Sequence, residues 1–158
     1  MATESNTGTD PVLALCFNYF YPARALHIAL HEARACYEAL TNEDEKASVW
    51  NCQVGPYLAL WQAALFPLCD GFRKLGLKDP ALDDLIREAM GALRSAAKAV
   101  SSYADNTSFK QGTGKLIGRH GLVPNLNTAE DLQRAFEDYF KAHLFAVGRN
   151  ADDQDVPN

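Results

Sequence analysis

Four cysteines are scattered along the 158 residues as Cys16, Cys36, Cys52 and Cys69, and no two of them form a CxxC pair. That spacing signals neither a zinc site nor a redox dithiol, so buried free thiols are expected. No uninterrupted apolar run approaches the ~20 residues of a membrane span. The opening MATESNTGTD has no basic segment followed by an apolar one, the mark of a secretion signal. A protein with no membrane contact, resident in the cytoplasm, is expected. Basic residues are also short: 15 Lys and Arg stand against 20 Asp and Glu, for a net charge of -5 and a pI near 5.3. This balance excludes a general nucleic-acid-binding surface, which needs a basic footprint, though a local patch remains open. Repeats, low-complexity tracts and alternating runs long enough for a sheet are absent too.

What is present is a helical apolar period. With 47% hydrophobic and 22% charged residues the chain has a globular balance, and its length is that of one domain able to bury a core without staples. Val12, Cys16, Tyr19, Ala23, Leu26, Leu30, Ala33, Tyr37 and Leu40 recur at steps of three and four, one stripe of a long helix. Pro22 falls inside it. Because proline lacks a donor and crowds the carbonyl four residues back, a kink is expected there with the register of the stripe preserved. A second stripe runs through Trp50, Val54, Tyr57, Trp61, Ala64, Leu68, Phe72 and Leu75, with Gly55-Pro56 and Pro67 as distortions. In LGLKDP, Gly76 suits the left-handed position after a last turn, and Asp79-Pro80 suits the cap and first residue of the next helix. The third stripe is Leu82, Leu85, Ala89, Leu93, Ala96, Val100 and Tyr103.

The pattern then stops over 104–127, ADNTSFKQGTGKLIGRHGLVPNLN, long for a compact domain and so either functional or hiding a short hairpin. Thr128 is expected to cap a fourth helix carrying Leu132, Phe136, Tyr139, Phe140, His143, Leu144 and Val147. The fold class expected is all-α: four main helices in an up-down bundle, the first two kinked at prolines, with a long loop before the last. Residues 1–9 read as a flexible N-terminus, 10–148 as a single helical domain and 149–158 as an acidic flexible tail.

Few residues suggest chemistry. His27 and His31 lie four apart, a spacing that lets two imidazoles share a metal, but the acid of HExxH is missing and no third ligand accompanies them. They are expected to be partly exposed polar residues, with no metal site and no cofactor. QGTGK lacks the spacing of a phosphate-binding loop and no strand precedes it. Lys110, Lys115, Arg119 and His120 form a basic loop in an acidic chain, and with Arg94 and Lys98 they are the candidate residues for holding an anion, an acidic partner or an RNA backbone. Solvated lysines on a connection are the plain alternative. Trp50, Trp61, Phe72, Tyr139 and Phe140 are expected in the core.

The stretch LWQAALFPLCDGFRKLGLKDPALDDLIREAMGALRSAAKAVSSY, Leu60 to Tyr103, resembles the middle of bacterial HEPN-type proteins, with a weaker echo in EDLQRAFEDYFKAHL. The resemblance covers a quarter to a third of the chain. It implies an all-helical domain in which a helix ends in a GxxxLGLxD turn and the next finishes in an R-x4-6-H motif that cuts RNA at a cleft between protomers. Many such proteins belong to toxin-antitoxin or antiphage systems. Here Ala97, Lys98 and Ser102 stand in the arginine, asparagine and histidine slots, and neither alanine nor serine supplies the acid-base group that cleavage needs. Arg24 and His31 fit R-x6-H literally, but in a different helix.

No catalytic residue is therefore assigned. The expected function is a non-catalytic helical interaction protein of bacterial or phage type, like a HEPN domain that has lost its nuclease motif, pairing with itself or with another protein. The alternative is a metal-independent ribonuclease or RNA-binding toxin or defence protein, with a site drawn from Arg119, His120, Arg94 or His143. A phage inhibitor of host defence is a further reading.

Overall fold

A computed structural model describes residues 9–101 and 126–152, with side chains described as far as Gly148. Asp10 opens the first helix. Its Oδ1 accepts from the Val12 N–H at 2.9 Å, and Pro11 takes the first helical position, where a missing donor costs nothing. Helix α1, Pro11–Leu15, passes into a π turn, Cys16–Phe20, and then into α2, Tyr21–Ala39. The second rod repeats the device. Asn42 accepts from the Asp44 and Glu45 N–H groups to cap α3, Glu43–Val49, which runs through a π turn, Trp50–Val54, into α4, Gly55–Lys74.

Each π turn ends two residues before a proline, Pro22 or Pro56. A π turn widens the backbone where the pyrrolidine ring would meet the carbonyl four residues back, so the rod continues instead of breaking. The wider turn also moves the stripe. Burial passes from Cys16 to Phe20 and on to Ala23, while Tyr19, expected inside, is 43% exposed. The displacement is local, because beyond Pro22 the stripe resumes in its expected register, with Ala23, Leu30 and Ala33 buried.

The LGLKDP turn is a Schellman closure. Gly76 has φ +67°, the Leu77 N–H bonds the Phe72 carbonyl at 3.2 Å, and the Gly76 N–H bonds the Arg73 carbonyl at 3.0 Å. Asp79 then accepts from the Leu82 N–H at 3.0 Å and Pro80 starts α5, Pro80–Ser101. Leu75, expected to be buried, is 45% exposed at this corner. The last helix, α6, covers Leu126–Asp152. It begins before Thr128, so that residue does not cap it; its hydroxyl instead donates to Glu88 Oε1 at 3.0 Å and ties α6 to α5. Residues 126 and 127, read as loop, are helical, and the helix passes residue 148, where a flexible tail was expected.

The protein is an all-α, four-helix up-down bundle. Tyr37 meets Trp50 and Leu15 meets Gly71, so the first two rods are antiparallel. Arg94 meets Phe66 across α4 and α5, and Phe20 meets Phe140 across the first and last rods. Trp61, Phe72 and Phe136 are fully buried at the centre, and Phe72 packs edge-on against both Phe136 and Tyr139. Cys16 and Cys69 are buried, and burial pushes the Cys69 thiol up to about 12; Cys36 and Cys52 are exposed, contrary to expectation. No described helix is long and apolar enough to cross a membrane.

Two glycines separate close approach from open space. A Cβ at Gly71 would lie 2.6 Å from Leu15 Cδ1, whereas one at Gly91 meets nothing within 4 Å. Gly71→Ala is expected to destabilise by ~1–3 kcal/mol through overpacking. Gly91→Ala is expected to stabilise by ~0.4–1 kcal/mol through the unfolded chain. Urea denaturation of both variants checks this; equal midpoints would show that α1 does not press on α4 as described.

Candidate functional site

Trp61 organises the site. It is fully buried, so its indole N–H must find a partner inside the protein, and it donates to Gln133 Oε1 at 3.0 Å. A face of the same ring system stacks on His27, with centroids 4.5 Å apart. One residue of α4 thereby positions one side chain of α2 and one of α6.

His27 points along the groove between those two helices. Its Nε2 lies 2.6 Å from Glu130 Oε2, and because an ionised carboxylate only accepts, the imidazole N–H donates. His31, one turn further along α2, brings its Nε2 to 3.0 Å from His27 Nε2 and 3.6 Å from Glu130 Oε1. The two rings meet edge to face at 4.4 Å. Glu130, Gln133 and Glu137 follow at helical spacing on α6, beside the buried Leu132 and Phe136. The groove has a volume of about 370 Å3, and Arg24 and Arg134 also line it.

Charge in the groove is balanced by close neighbours. Burial holds His27 below its ordinary value of 6.5, against the opposing pull of Glu130. Glu137 is held below 4.5, chiefly by its hydrogen bond from Lys141, with Arg24 and His27 adding to this. Gln133 is the exception. Its Oε1 is committed to the indole N–H, which fixes the orientation of the amide, and its Nε2 is a buried donor without a partner among the described residues.

The sequence placed both histidines beside the apolar stripe and found no third ligand. The structure packs His27 on Trp61 and supplies Glu130, 103 residues away. It also puts Arg24 and His31, the literal R-x6-H pair, on one groove. The other candidates are not assembled there. Arg94 lies over the Phe66 ring, 5.9 Å from its centroid, and Lys98 is exposed on α5. Lys110, Lys115, Arg119 and His120 lie outside the described residues, as does Ser102. His143 pairs with Asp10 at 2.6 Å, and this hydrogen bond holds the Asp10 carboxyl below 3.8. The pair fastens the last helix to the start of the first.

These shifts carry signs. His27 is lowered, so its contribution to stability is complete above about 6.5 and is lost as pH falls below that, where the unfolded chain takes up the proton first. Asp10 and Glu137 are lowered too, and their contributions stand above 3.8 and 4.5 and disappear in more acidic solution. Unfolding free energy should therefore fall from pH 7 to pH 5, and fall less steeply in His27→Gln. Identical slopes in the two proteins would remove His27 from the account.

No protein-family model, no curated protein and no solved structure matches this chain.

Proposed function

We propose that the chain is a non-catalytic helical interaction protein that docks a protein partner, first of all a second copy of itself, along the groove between α2 and α6. One observation carries the reading. Phe17, Tyr21 and Leu144 form an exposed apolar rim at one end of that groove: the rings of Phe17 and Tyr21 lie 5.5 Å apart, and Tyr21 and Leu144 flank a hollow of about 180 Å3 floored by Phe20 and Phe140. Phe145, beside Leu144, is 69% exposed. Rings held in water recover free energy when a partner covers them. Both signs of charge edge the hollow, Arg24 and Lys141 with Glu137, which suits a two-fold pairing where each patch meets its own copy.

The resemblance of Leu60 to Tyr103 to HEPN-type proteins supports the same reading, since those domains pair and this chain has Ala97, Lys98 and Ser102 where active members carry the nuclease motif. A second reading, RNA cleavage by His27 and His31 with Arg24 and Arg134 steadying the phosphate, is favoured by their meeting in one groove. Turnover of labelled RNA that His31→Ala abolishes would select it.

Light scattering during size-exclusion chromatography tests docking. The protein is expected to run as a dimer that resists salt, and Phe17→Glu to run as a folded monomer. A wild-type monomer at every concentration would refute self-pairing.

A further inference from the structure

We propose that His27, His31 and Glu130 form a binding site for one divalent transition-metal ion of the zinc class, which clamps α2 to α6. The three side chains converge on one point. His27 Nε2 is 2.6 Å from Glu130 Oε2, the two Nε2 atoms are 3.0 Å apart and His31 Nε2 is 3.6 Å from Glu130 Oε1, and one ligand atom from each residue can be chosen so that the three lie within 4.8 Å of one another. Ligands held ~2.0–2.1 Å from a tetrahedral ion stand roughly 3.3 Å from each other. Small side-chain adjustments that set one Glu130 oxygen against both imidazoles bring the three ligands to that spacing.

Proton counting points the same way. His27 Nε2–H donates to Glu130, so the nearby His31 Nε2 has no hydrogen-bond acceptor in His27 and no short bond to the carboxylate. A single short hydrogen bond, from His27 to Glu130, thus serves three polar groups that face each other. A cation in its place gives a partner to all three, with each imidazole carrying its proton on Nδ1 instead. Two imidazole nitrogens and one carboxylate are a donor set for zinc-like ions and a poor one for magnesium or calcium, which take oxygen ligands.

The surroundings fit a built site. His27 is fixed by its stack on Trp61, so one ligand is oriented before any ion arrives. His31 is 54% exposed and leaves a way in. Gln133, almost fully buried in the wall of the same groove, offers an unpartnered Nε2–H donor, as an acceptor oxygen on the ion's fourth position would require. Three protein ligands leave that position open.

The full chain, stripped with chelator, is titrated with Co2+ followed by visible absorption, and then with Zn2+ in competition. One ion per chain is expected, with a tetrahedral Co2+ spectrum lacking thiolate charge-transfer bands. His31→Gln and Glu130→Gln should each weaken binding by at least the ~10–100-fold that loss of a mere supporting contact costs. Zn2+ should raise the melting temperature of the wild type and leave both variants unchanged. His31 is exposed, so its variant folds and decides the matter even if Glu130→Gln does not. Cys36→Ser/Cys52→Ser removes the exposed thiols and should bind as wild type. Absence of saturable one-site binding, wild-type affinity in His31→Gln, or loss of binding in the cysteine variant would each overturn the proposal.

Discussion

The indole N–H of Trp61 has no water to meet, because its ring is sealed at the centre of the bundle. A buried donor left unpaired costs about 1–3 kcal/mol, so the fold has to bring an acceptor to it. Gln133 answers from α6, and the stack with His27 answers from α2. That single side chain couples three helices. It also sets the groove's chemistry, since Gln133 and His27 both line the polar hollow. The core requirement of a helical bundle and the geometry of its polar groove are one constraint here.

The groove has two characters along its length. Near Phe20 and Phe140 it is apolar, rimmed by Phe17, Tyr21 and Leu144, and this end suits a protein surface. Beyond Arg24 and Glu137, which line both hollows, it becomes polar around His27, His31 and Glu130. A dimer and a metal clamp place different demands on these ends and are compatible with each other. The clamp would hold together the two helices whose Tyr21 and Leu144 flank the docking hollow.

What could be read from the sequence was local. The LGLKDP corner and the α5 stripe follow from residues within one or two turns of each other, and the structure has the corner, down to the positive φ of Gly76, and the stripe as far as Val100, Tyr103 lying outside the described residues. The π turns were not legible. Proline announces a disturbance at positions 22 and 56, but whether the backbone kinks or takes up an extra residue depends on what the helix packs against, and the second outcome turned Tyr19 outward. Half of the polar site was visible in the spacing of His27 and His31. Its other half, Glu130 with Gln133, lies on the far side of more than ninety residues. The only trace was a polar row at helical spacing beside Leu132 and Phe136, with nothing to say which helix it would face.

The central claim is that Trp61 holds His27 so that its Nε2 faces Glu130. Long-range 15N–1H spectra of the histidine rings test it most directly, because they distinguish the two tautomers and the charged form. In metal-free protein at pH 7.5 the account predicts that His27 is neutral with its proton on Nε2, and that this preference weakens in Trp61→Phe. A His27 ring protonated on Nδ1 alone, or indifferent to the loss of the indole, would contradict it.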